Sequence, residues 1–195
     1  MNARRALATL AASAVLVLAL AGCGAAPWDP QPNASASATS VPTPVPNDLS
    51  SGSTQRTLTA GPVTATVDYW STLNLDQWTA GAVKPLSLSL VTTVTPDDGQ
   101  KVYLQRAQML AVPGSATDAM DALAPQVDAS TVSPGYLVLN PYSYTQTFNV
   151  GPVPEDATHV TLQFTYDFLV QTTPTSSEFA KQTATDTVTV ALAQD

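Results

Sequence analysis

The chain has 195 residues, seven Lys and Arg against 15 Asp and Glu, and a formal net charge of −8 at pH 7. Two of its cations, Arg4 and Arg5, lie in the N-terminal run, and beyond Cys23 only Arg56, Lys84, Lys101, Arg106 and Lys181 remain. This balance excludes a nucleic-acid partner and a polybasic membrane surface, both of which need a basic face. The single cysteine leaves no internal disulfide, so an exported core must be held by packing alone.

Residues 1–22 have the three parts of a signal peptide. Met1 to Arg5 is a basic n-region, Ala6 to Leu20 is apolar, and Ala21-Gly22 supply the small residues a peptidase requires. The apolar stretch falls short of the roughly 18 residues expected of a spanning helix. The run Leu20-Ala21-Gly22-Cys23 resembles the lipobox of bacterial lipoproteins. That resemblance implies that Cys23 carries a diacylglyceryl group with palmitate-type chains, becomes the mature N-terminus, and holds the protein on the extracytoplasmic face of the cell membrane. Each buried methylene contributes about 0.8 kcal/mol, and two chains anchor stably where one does not. An ordinary cleaved secretory signal and an uncleaved anchor are the competing readings.

Residues 23–56 are rich in Ala, Ser, Thr, Asn and Pro, with Pro27, Pro30, Pro32, Pro42, Pro44 and Pro46 and no strand or helix periodicity. Such a segment cannot bury enough apolar surface to offset its ordering entropy and reads as a disordered tether. As a flexible coil it reaches roughly 30 Å, and as polyproline II about 100 Å. A Pro-rich recognition ligand is the alternative.

Residues 57–195 have the size of one domain and alternate apolar and polar residues. Val63, Ala65, Val67 and Tyr69 form one such row, Leu86, Leu88 and Leu90 a second, and Val188, Val190 and Leu192 a third. Val160 to Phe168 is the longest. Turns are expected at Thr95 to Gln100, with Gly99 free to take positive φ, at Ser133-Pro134-Gly135, at Gly151 to Asp156 and at Pro174 to Ser177. One short helix is predicted from Ser115 to Leu123, with Ser115 as its cap and Asp118 in its first turn. The expected fold is all-β: an immunoglobulin-like antiparallel β-sandwich of about seven strands with one short helix, a closed barrel being the runner-up.

Ser133-Pro134-Gly135-Tyr136, Phe148-Asn149-Val150 and Val153-Pro154 through Val160-Thr161-Leu162-Gln163-Phe164 together resemble secreted immunoglobulin-like domains of bacterial lipoproteins. The resemblance covers about a quarter of the chain and implies a non-catalytic sandwich. The disulfide of antibody domains is absent.

Catalytic chemistry finds little material. His159, the one histidine, is read as an exposed surface side chain, and no Gly-x-Ser-x-Gly turn presents a nucleophile. A zinc or copper site of the usual N/S type cannot be assembled, and Met109 and Met120 lack histidine company. Asp97-Asp98-Gly99 offers oxygen ligands for calcium but equally a hairpin turn. Asp118 and Asp121 lie one helical turn apart, which helix solvation explains as well. No cofactor is expected.

Two features point to a binding surface. Val102 to Val112 is apolar on both parities, with Val102, Leu104 and Leu110 on one and Tyr103, Ala107, Met109 and Ala111 on the other; Arg106 lies among them. Such a strand is either covered on both faces, here by the following helix, or exposes an apolar row that a partner covers. The second is Tyr136, Asn140, Pro141, Tyr142 and Tyr144, a group suited to sugars or peptides. The candidate surface is therefore Tyr103, Arg106, Met109, Tyr136, Tyr142 and Tyr144. The expected function is a lipid-anchored, non-enzymatic envelope protein whose sandwich binds a protein or cell-wall polymer. The alternative is a solute- or calcium-binding lipoprotein with a ligand pocket, and an enzyme would need His159 or two carboxylates facing across a cleft.

Overall fold

Alternating β-branched and polar residues dominate the chain from Ser53 onward, and they pair into two antiparallel sheets. The structure, a computed structural model, describes residues 44–194. Cys23, the leader and the tether as far as residue 43 lie outside the described residues. The strands are β1 (Ser53–Ala60), β2 (Val63–Trp70), β3 (Lys84–Val94), β4 (Val102–Gly114), β5 (Gln126–Ala129), β6 (Tyr136–Leu137), β7 (Tyr144–Val150), β8 (His159–Gln171) and β9 (Phe179–Ala191). The first sheet runs β1-β2-β3-β7; the second runs β5-β4-β8-β9, with β6 also on β4.

The fold is thus the β-sandwich expected, not a closed barrel. The chain crosses between the sheets from β3 to β4, β7 returns beside β3, and β8 and β9 close as a hairpin next to β4. Nine strands replace the expected seven because β5 and β6 are short pieces that share one edge of β4. The β1–β2 turn is Gly61-Pro62, where Gly61 adopts φ 58° at the first central position of a tight hairpin.

Two expectations are corrected. The tether does not extend to residue 56: Leu49 is fully buried and Ser53 opens β1. The helix over Ser115–Leu123 is absent, and a 3-10 turn at Leu75–Gln77 is the one helical element among the described residues. Ser115 Oγ does accept the Asp118 amide at 3.1 Å, as a cap would. The chain then turns back along β4, where Met120 N donates to Pro113 O and Leu123 N to Ala111 O. Satisfying that sheet edge outweighs the local preference for a helix.

The core lies between the sheets. Val63, Ala65, Val67 and Tyr69 face Val160, Leu162, Phe164, Tyr166 and Phe168, all buried. Tyr69 and Tyr166 meet across the core with hydroxyl oxygens 2.9 Å apart, and Tyr69 donates to Asp186 at 2.9 Å. Burial, then the neighbouring tyrosine, pushes the Tyr69 phenol far above its usual range; burial does the same to Tyr166. At one end Lys84, fully buried, donates to the Thr79, Ala80 and Ala82 carbonyls, and burial lowers its pKa.

Side chains close both open flanks of the sandwich. On one flank Asp48 N donates to Thr189 O and Thr189 N to Asp48 Oδ2, both at 2.8 Å, while Arg56 pairs with Asp48 at 2.7 Å. Asp186 Oδ1 accepts the Thr187 amide nearby. On the other, Gln126 exchanges two hydrogen bonds with the Asn149 backbone, and Tyr144 donates to Asp128 at 2.6 Å.

Candidate functional site

A β-bulge in β4 organises the candidate surface. The pairing of β4 with β8 slips between Leu104 and Arg106, leaving Gln105 as an extra residue. Residues before the bulge point inward at even numbers and residues after it at odd numbers: Val102, Leu104, Ala107, Met109 and Ala111 are all buried. The outward row is Tyr103, Arg106, Gln108, Leu110 and Val112, each half-buried. Gly135 packs against this bulge, where a Cβ would come 2.5 Å from Leu104 O, so no larger residue fits. The double-parity apolarity of the sequence is therefore a single inward row interrupted by one residue.

The outward row continues across the sheet. Tyr103 pairs with Leu169 and Leu137, Arg106 with Asp167, and Asp167 with Thr183; Lys181 and Phe179 follow on β9. Tyr103 meets Phe179 edge-to-face with centroids 5.8 Å apart. The predicted helix that would have covered this face is absent, and the outward side chains of Tyr103, Leu110, Leu169 and Phe179 are half-buried.

Beside the apolar row lies a charged cluster. Asp167, 3% exposed although it points to the outer face, receives Arg106 Nε at 3.0 Å and Nη2 at 2.9 Å on Oδ2. Lys181 Nζ approaches the same oxygen at 3.2 Å, and the Thr183 hydroxyl donates to Oδ1 at 2.8 Å. Burial works to raise the carboxyl, but the Thr183 bond and the two cations together outweigh it and hold the group below its usual value.

The edge tyrosines separate into two kinds. Tyr142 is 58% exposed in the β6–β7 connection, and Tyr136 is 37% exposed with its ring 5.4 Å from that of Tyr144. Tyr144 itself is buried; burial and then the bond to Asp128 push its phenol well up. Tyr144 thus leaves the candidate surface and serves to tie the sheets together. Met109 leaves it too, because the bulge turns it wholly into the core. Of the five exposed large hydrophobics among the described residues, Val127, Val132, Tyr136 and Tyr142 fall within residues 126–142, on the flank next to the outward row, and Val83 lies elsewhere.

The structure therefore brings Tyr103 and Arg106 together on one face, places Tyr136 and Tyr142 on the adjoining flank, and puts Met109 and Tyr144 inside. Cys23 lies outside the described residues. Sequence reasoning missed Asp167, Leu169, Phe179 and Lys181. Asp167 interrupts an otherwise uncharged run, Val160 to Phe168, and that lone acid on the outward parity was the available signal.

The other candidates have local roles. Asp97 Oδ1 accepts the Gly99 amide in its turn, where Gly99 takes φ 91° as expected. No group of three His, Cys, Asp or Glu residues among the described residues is placed to hold a metal ion. His159 is half-buried, not exposed, because it packs over Gly114, and its Nδ1 lies 3.1 Å from Thr158 Oγ1. An open recess of about 600 Å³ is lined by Thr79, Ala80, Gly81, Val153, Glu155 and Gln194. The Thr79 and Ala80 carbonyls at this recess are already engaged by Lys84. Comparison with known protein families, curated proteins and solved structures returns no match.

Proposed function

We propose that this chain is a lipid-anchored envelope protein, held on the extracytoplasmic face of the membrane through Cys23, whose non-catalytic β-sandwich binds a protein or cell-wall partner. The anchor is supported by the run Leu20-Ala21-Gly22-Cys23 behind its basic and apolar leader. The single observation that carries the binding role is the uncovered outer face of β4, β8 and β9, where Tyr103, Leu169 and Phe179 form an apolar row beside Arg106 and Lys181. Aromatic side chains and arginine are enriched at protein interfaces, and a monomeric sheet face with no partner normally reads as polar outward.

The test has two arms. A photoreactive side chain at Leu110, on the outer face, is expected to give adducts in cells, whereas one at Thr147, on the exposed side of the first sheet, is not. Equal adducts at both positions, or none at Leu110, would remove the binding role. Cys23→Ser is expected to release the protein from the membrane fraction or to block its trimming, and an unchanged distribution would remove the anchor.

A further inference from the structure

Arg106 and Lys181 both lie on the outward parity of the second sheet and Lys101 is exposed just before β4, although the described chain is strongly acidic; Arg56 is paired with Asp48 and Lys84 is buried. Arg106 and Lys181 are held side by side because both contact one oxygen of Asp167. One carboxylate cannot neutralise two cations, so the three side chains together keep a net positive charge at a fixed place on the outer face.

The donors are also incompletely used. Arg106 gives Asp167 its Nε and one direction of Nη2, and no other side chain among the described residues bonds to Nη1. The second fork of the guanidinium, formed by Nη1 and Nη2, is thus free in the planar arrangement that matches an oxyanion. Lys181 makes one such contact, leaving two of its three N–H donors. One residue row away stand Tyr103 and Leu169, with Phe179 against Tyr103.

We infer that this cluster is a recognition site for an acidic peptide segment of a partner protein, one that places a carboxylate on Arg106 and Lys181 and an apolar side chain on Tyr103, Leu169 and Phe179. The inference rests on the proposed docking role of this face and specifies its occupant. A phosphate-diester polymer satisfies the cations but has nothing to lay on the apolar row. A carboxylate followed by an apolar side chain uses both halves at once.

The probe is a fluorescein-labelled peptide of alternating Glu and Phe, with a Gln-for-Glu peptide as control, titrated against the detergent-solubilised full chain by anisotropy at about 50 mM salt, where screening is modest. The Glu peptide is expected to bind, and the Gln peptide about tenfold more weakly, the scale of charge-assisted bonds. Lys181→Gln, which leaves the Arg106–Asp167 pair in place, is expected to weaken binding about tenfold, and Tyr103→Ala comparably, while Thr147→Ala changes nothing. Equal binding of the two peptides, or indifference to Lys181→Gln, would overturn the assignment. So would a poly(glycerol phosphate) chain that binds with the same Lys181 dependence and no response to Tyr103→Ala. Adducts at Leu110 without any preference for the Glu peptide overturn the acidic occupant alone and leave the docking role standing; loss of those adducts removes both.

Discussion

Asp167→Asn is the sharpest test of the charged cluster, because it removes charge while keeping shape. In the native arrangement Oδ2 accepts from Arg106 at 3.0 Å and lies 3.2 Å from Lys181 Nζ, while Oδ1 accepts from Thr183 at 2.8 Å. An asparagine can turn its carbonyl toward the cations and donate its amide to the Thr183 hydroxyl, so no polar group is orphaned. What is lost is the charge assistance of two bonds and the counterion that holds two like charges together. Charge-assisted bonds are roughly twice as strong as neutral ones, and both cations are half in solvent, so the cost at neutral pH is about 1–2 kcal/mol. The pH dependence carries a sign. Because the Asp167 carboxyl lies below its reference value of 3.8, its contribution is present above that pH and is lost as the pH falls through the folded value. Urea unfolding followed by circular dichroism should show Asn less stable at pH 7, with the gap narrowing under acid conditions. A gap that is the same at both pH values, or no gap at neutral pH, would refute the account of Asp167 as an ionised hub.

Tyr69→Phe removes the hydroxyl that joins Tyr166 to Asp186 across the core and should cost about 1–3 kcal/mol in thermal unfolding, most of it from the two partners left behind. Tyr69, Tyr144 and Tyr166 all have raised phenol pKa values, so the stability they confer is complete below the unfolded value near 10 and declines as the pH rises above it. Alkaline titration should therefore show tyrosinate absorbance from these three appearing together with loss of β-structure. Lys84, whose pKa is lowered, works in the opposite direction, but only up to its reference value of 10.5. Gln105→Ala, at an exposed bulge position, should shift stability by no more than about 0.5 kcal/mol in urea unfolding, and deleting Gln105 should leave the Arg106–Asp167 pair in place, because Leu104 and Arg106 then alternate inward and outward as Phe168 and Asp167 do.

The parts of the fold legible in sequence are those set by period two over a long span. Val160 to Phe168 keeps one parity inward throughout, and its strand follows it without exception. The strand beginning at Val102 was harder, because a bulge exchanges the parities at a residue, Gln105, with nothing in its chemistry to announce it. The error at Ser115 has a different origin. The serine caps a turn as its chemistry demands, but a capped first turn is common to a helix and to a chain that doubles back, and only the presence of the β4 edge decides between them. Tyr144 and Tyr142 are two residues apart in one aromatic group, yet burial divides them, since one lies on the inward parity of β7 and the other in the connection before it. Arg106 was visible as a candidate; its company was not, because Asp167 and Lys181 come from strands more than sixty residues away and meet it only through register.

The clasp between Asp48 and Thr189 also has a mechanical side. A pull applied from the N-terminal direction enters the domain at Asp48, whose amide and carboxylate both grip the edge of β9. Two bonds 2.8 Å long then share the load in parallel, with Arg56 bracing the carboxylate at 2.7 Å. Strand β9 also carries Lys181 and Phe179, so tension between the N-terminal side and a partner on the outer face would run along this strand, past Asp186, which accepts the Tyr69 hydroxyl. Under such a pull the two Asp48–Thr189 bonds, at the point where the load enters, are expected to part before the core.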